Sequence, residues 1–139
     1  MRIRRLAPLD RAAITELLSA DETFNDDEVA VALELIDTAI ARPEGDYRVL
    51  VCEGEEARIL GYVCFGPTPM TEATFDLYWI VTHPEARGRG VATRLCAAME
   101  SELVVARARV VRLETSQLEA YGSARALYAR MAYQEAGRI

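Results

Sequence analysis

The apolar residues of this chain recur with two periods in turn, 3.6 and two, and that alternation constrains the fold more than any single residue does. Leu9, Ala12, Ala13, Ile14, Leu17 and Leu18 have the spacing of one helix face, with Pro8 and Asp10 as its start signal. Asn25 offers a cap to a second helix with the acidic first turn Asp26-Asp27-Glu28; Val29, Leu33, Ile36 and Ile40 mark its face, and Pro43 and Gly45 end it. Residues 47–53 and 58–66 are rich in β-branched and aromatic side chains and are joined by the polar Gly54-Glu55-Glu56-Ala57, which is a hairpin signal. Pro67 and Pro69 break the second of these strands. A strand is expected over 74–82, a helix over 90–107, a strand over 109–115 and a helix over 120–131, with the last eight residues beginning one more strand. Residues 2–6 suit a short edge strand. Hairpins followed by strand, helix, strand, helix predict an α/β domain: a mixed, mostly antiparallel sheet flanked by helices.

With 139 residues, about half of them apolar, the chain has the size of a single domain spanning 1–139. No run approaches the roughly 18 apolar residues needed to cross a bilayer, and the basic start of the chain leads into Pro8 rather than an apolar signal core, so the sequence reads as cytoplasmic with no membrane partner. The net charge of −6 disfavours nucleic acid, which is bound through a basic face. Acidic residues crowd the N-terminal half, as either a solvated surface or an attraction for a cationic substrate. All the basic residues are Arg. Cys52, Cys64 and Cys96, odd in number and without a CxxC pair, suit neither a disulfide framework nor a zinc site and read as small core residues. His83 is the single histidine and reads as a plain surface residue of a turn, so no metal site is expected.

The chemistry concentrates in Thr82-His83-Pro84-Glu85-Ala86-Arg87-Gly88-Arg89-Gly90-Val91-Ala92-Thr93, a glycine-bearing turn between a strand end and a helix start. Glycines let the backbone approach a ligand, and the free N–H groups of a first helical turn favour a pyrophosphate. Arg87 and Arg89 add positive charge there. A dinucleotide fingerprint would need Gly where Thr93 stands, and a P-loop would need a Lys that the chain lacks. An ordinary strand-to-helix turn is the bland alternative.

The segment fits Arg/Gln-x-x-Gly-x-Gly/Ala through Arg87, Gly90 and Ala92, with Pro84 three residues ahead of Arg87, and in this it resembles the GNAT superfamily of N-acetyltransferases. A second match, Tyr121 to Tyr133 with the pair Leu127-Tyr128, resembles the helix that carries that family's usual general acid. Ala132 replaces a customary Gly, and Tyr121 stands where many members carry Asn. The resemblance runs from about Ile3 to Tyr133. It implies acetyl-CoA as cosubstrate, held by Ile80, Val81, Thr82, Arg87, Gly88, Arg89, Gly90, Val91, Ala92 and Thr93, and direct transfer of acetyl to a primary amine of a small molecule or peptide. It also implies a bulged strand that splays at Ile80-Val81-Thr82 and aims a backbone N–H at the thioester carbonyl.

In that reading Tyr128 protonates the departing thiolate. A phenol of pKa about 10 against a thiol of about 8.5 is short by roughly 2 kcal/mol, a gap that local tuning can close. Tyr121 is the next candidate. An amine with a pKa of about 10.4 must lose a proton first; Asp76, near the start of its strand and roughly where the histone-modifying branch of the family places a carboxylate, or Glu114, near the end of the next, is either that base or an ordinary solvated carboxylate. Tyr78 and Trp79 either line the acceptor pocket or are simply core. Rival readings are a non-catalytic acyl-CoA-binding or regulatory module, and a small structural domain with a generic anion turn. Because family members continue past the point where this sequence stops at Ile139, a sheet lacking its final strand is expected to be completed or covered in a homodimer.

Overall fold

The computed structural model describes residues 1–113. In chain order their elements are β1 (Arg2–Arg5), α1 (Arg11–Ala20), α2 (Asp26–Ala41), β2 (Arg48–Glu53), β3 (Ile59–Pro67), β4 (Thr74–Thr82), α3 (Val91–Val105) and β5 (Val110–Leu113). The strands lie side by side as β1-β2-β3-β4-β5, antiparallel except for the parallel pair β4 and β5. This is the mixed, mostly antiparallel sheet that the periodicities predict, with Arg2–Arg5 as the expected edge strand. The expected helix over 120–131, the strand begun at Tyr133 on which the dimer expectation turns, and Glu114, Tyr121 and Tyr128 lie outside the described residues. No helix among the described residues is long and apolar enough to cross a membrane.

Local chemistry explains where the helices begin. Asn25 Oδ1 accepts the Glu28 N–H at 2.8 Å while Glu28 Oε1 accepts the Asn25 N–H at 3.0 Å, so at the start of α2 each side chain satisfies the other residue's backbone donor. Ahead of α1, a short 3₁₀ turn Pro8–Asp10 is held by the buried Asp10, which takes two bonds from the Arg4 guanidinium at 2.8 and 2.9 Å and the Ala7 N–H at 2.7 Å. That cluster stitches β1 to the start of α1.

The sheet has an apolar layer on each face. On one, Ile14, Leu17 and Leu18 of α1 and Ile36 of α2 cover Val49, Val51 and Tyr62; on the other, Leu95, Cys96 and Met99 of α3 cover Leu50, Val63 and Phe65. Each fully buried Leu or Ile contributes about 1.5 to 3 kcal/mol, so each layer holds its helices against the sheet. Cys52, Cys64 and Cys96 are buried and free, as the sequence suggests.

Two bulges reset the alternation of faces. Cys52 pairs with Gly61 and Glu53 with Ile59, which leaves Leu60 as an extra residue in β3. Cys64 pairs with Trp79 and Phe65 with Leu77, which leaves Tyr78 as an extra residue in β4. The second bulge places Tyr78 and Trp79 together on the α1/α2 face and returns Ile80 to the α3 face shared by Phe75 and Leu77. The bulge therefore sits at Tyr78 and not, as expected, at Ile80-Val81-Thr82, which pair in regular register with Val63, Tyr62 and Gly61. The physical cause is the apolar pattern itself: Leu77 and Ile80 are an odd number of steps apart, so they share a face only if one residue between them leaves the ladder.

Candidate functional site

β4 ends at Thr82, and the chain reaches α3 through a short 3₁₀ turn, Pro84–Ala86, followed by Arg87-Gly88-Arg89-Gly90. Gly88 and Gly90 both have φ of +78°, the left-handed region that glycine enters without strain. A β-carbon built on either meets nothing within 4 Å, so glycine is favoured here by the backbone angle and not by packing. Gly90 is the N-cap of α3, and the first helical bond is from the Arg94 N–H to the Gly90 carbonyl at 3.0 Å. The backbone N–H groups of residues 88–93 have no acceptor among the described residues. Val91 and Leu95 are buried, so the helix is anchored in the core while the turn ahead of it stays exposed.

Six successive donors with no acceptor among the described residues, at the positive end of a helix with an exposed Arg89 beside them, fit a pyrophosphate. Of the residues expected there, Gly88, Arg89, Gly90, Val91, Ala92 and Thr93 form this rim directly. Ile80, Val81 and Thr82 lie one short turn earlier, in the last regular pairs of β4 with β3. Arg87 has a partner within the protein as well: its Nη2 donates to Asp21 Oδ2 at 2.8 Å, so its exposed guanidinium is paired with a carboxylate that is only 7% exposed.

His83 is a correction. It is not a surface residue but 4% exposed, because its ring serves the backbone: Nδ1 accepts the Glu85 N–H at 3.2 Å and caps the Pro84–Ala86 turn. That bond leaves Nε2 to carry the proton, which points at Glu16 Oε1 of α1 at 3.1 Å. No pattern in the sequence announces the pairs Glu16 with His83 or Asp21 with Arg87, since each joins residues more than sixty positions apart.

The acceptor-side candidates cluster on the α1/α2 face of β4. Tyr78 meets Tyr47 edge-on and Trp79 lies tilted against Phe24, each pair with ring centroids 5.3 Å apart. Burial, and after it the carboxylate of Asp76, pushes the Tyr78 phenol above its usual pKa. Asp76 is half-buried, and its oxygens accept from Arg112 Nε at 3.0 Å and Nη2 at 3.4 Å across the β4 and β5 pair. Much of the N-terminal acidity is likewise matched internally, as in Arg11 with Asp37 and Arg4 with Asp10 and Glu53.

A bulged strand, a left-handed glycine turn and a helix N-terminus whose donors meet no acceptor among the described residues make a place where an anionic group can be held. Residues 45–135 match the family model described as an acetyltransferase (GNAT) domain, and the chain belongs to the GNAT acetyltransferase family. It is an acetyl-CoA-dependent acyltransferase. Among solved structures, it is similar to a protein from Desulfovibrio desulfuricans assigned to the GNAT family, with 28% identity, a TM-score of 0.91, and coverage of 98% of this chain and 86% of that one. The ribosomal-protein-alanine N-acetyltransferase of Brucella melitensis biovar Abortus shares 20% identity over 100% of this chain and 96% of its own, with a TM-score of 0.74. AAC(6')-Iy, solved with the bisubstrate analogue CoA-S-monomethyl-acetylneamine, shares 16% identity over 99% and 93% of the two chains, also with a TM-score of 0.74. The latter two likenesses speak for the fold alone. No curated protein matches the sequence.

Proposed function

We propose that this enzyme transfers the acetyl group of acetyl-CoA to a primary amine of a small molecule or peptide by direct attack, with the coenzyme's pyrophosphate on the N–H groups of residues 88–93. The observation that carries this reading is the row of six donors without an acceptor among the described residues, two of them on glycines in the left-handed region. Acetyl-CoA supplies an activated thioester carbonyl. As the amine nitrogen bonds to that carbon and the carbon–sulfur bond breaks, the thiolate takes a proton from Tyr128. The bulge at Tyr78 frees backbone groups from the ladder beside the acceptor face, a source for the N–H that meets the carbonyl oxygen. Asp76, oriented by Arg112, takes the proton that the ammonium must lose.

The test is calorimetry with acetyl-CoA followed by a thiol-release screen over an amine library that includes amino acids, polyamines and peptides. Binding with thiol release for at least one amine class is expected. Absence of binding would remove the assignment of the turn. Binding without thiol release for any amine would remove the proposed acceptor chemistry.

A further inference from the structure

The loop that carries these six donors is held from outside by one helix. Asp21, the residue after α1, presents both carboxylate oxygens to fixed donors: Oδ2 accepts from Arg87 Nη2 at 2.8 Å and Oδ1 from the Thr23 N–H at 3.0 Å. Its carbonyl accepts the Phe24 N–H at 3.2 Å, and Phe24 packs on Trp79, next to the bulge residue Tyr78. Five residues earlier on the same helix, Glu16 holds His83 Nε2. The C-terminal half of α1 thus grips both ends of the segment 83–87, and the gripping residue at one end also shapes the turn that lies against the acceptor face.

We propose that Asp21 is a positioning residue for the coenzyme turn, and that Arg87 acts on the coenzyme through Asp21 while Arg89 supplies the charge that meets the pyrophosphate. This rests on the reading that the pyrophosphate lies on residues 88–93. Arg87 carries a charge offset in place by a buried carboxylate, whereas the exposed Arg89 makes no ion pair among the described residues. The Arg87 side chain reaches solvent, but the Asp21 carboxylate does not, so releasing the guanidinium would leave a buried carboxylate short of its partner. Asp21 therefore sets the turn and the α1/α2 connection in one fixed relation.

The experiment measures acetyl-CoA affinity by calorimetry across a salt series for the wild type, Asp21→Asn, Arg87→Gln, the double variant, Arg87→Lys and Arg89→Gln, with thermal midpoints recorded in parallel. Expected are losses of roughly tenfold in Asp21→Asn and in Arg87→Gln, and a double variant no weaker than the weaker single, as for residues acting as one unit. Arg87→Lys, which keeps an ion pair, should retain affinity within about twofold. Arg89→Gln should add to each of the others and flatten the dependence of affinity on salt, while Arg87→Gln leaves that dependence unchanged. Additive losses for Asp21 and Arg87, tighter binding in Asp21→Asn, or a salt dependence flattened by Arg87→Gln would overturn the proposal and place Arg87 on the phosphate. Should Asp21→Asn not fold, the salt dependence of Arg87→Gln against Arg89→Gln decides alone. No binding by the wild type would instead overturn the turn assignment.

Discussion

Gly61 of β3 lies against Val91, the first residue of α3: a β-carbon on Gly61 would come to 2.9 Å from Val91 Cγ1 and 2.6 Å from the carbonyl oxygen of Val81. The absence of a side chain at Gly61 is what lets the N-terminus of α3 sit close over the end of β4. Gly61→Ala is expected to cost about 2 kcal/mol or more, since the nearer clash is with backbone that cannot rotate away. Chemical denaturation measures it, and coenzyme affinity should fall with it because the donors of the turn are displaced.

Gly90→Val acts at a position where packing leaves open space, so its cost is local. The φ of +78° is one a β-branched residue avoids, and the new side chain would stand where a ligand approaches the donors. Acetyl-CoA affinity should fall by roughly tenfold or more while the fold survives. A folded variant with unchanged affinity by calorimetry would take the pyrophosphate away from this turn.

Tyr128→Phe should lower kcat by about 10² or more and leave coenzyme affinity nearly intact, as for removal of a positioned acid. Near-wild-type kcat with chemistry rate-limiting would pass the role to Tyr121.

Asp10 gives the protein an acid-sensitive joint. Burial pushes its carboxyl pKa up, but the hydrogen bonds from Arg4 and from the Ala7 N–H, with the charge of Arg4, together hold it below the usual carboxylate value. A folded pKa below the unfolded one means that the stabilisation is complete above the unfolded value of about 3.9 and is lost as pH falls through the folded value. Asp10→Asn should therefore destabilise the protein by about 2 kcal/mol at neutral pH and flatten the fall of stability on acidification. Denaturation series at neutral and acid pH compare the two; parallel acid limbs would contradict the assignment.

The three cysteines should be silent in the native state. Burial pushes Cys64 and Cys96 up to about 12 and raises Cys52 as well, so little thiolate forms. A disulfide reagent at pH 8 is expected to detect no thiol among them until denaturant is added, and then all three. A fast-reacting native thiol would show that a core layer opens.

Hydrophobic period, turn residues and caps are local, and they were enough to determine the element order of the described residues, the sheet class, the start of α2 at Asn25 and the glycine turn of residues 88–93. Each depends on neighbours a few positions apart, which a sequence displays. The bulge at Tyr78 was present as an odd step between Leu77 and Ile80, but reading it requires knowing that both face α3, and only the packed sheet assigns faces. Burial of His83 and the engagement of Arg87 by Asp21 were not legible at all. Those contacts join α1 to the loop after β4 across the sheet, where partners are chosen by which surfaces the two apolar layers press together, and that choice belongs to the tertiary structure.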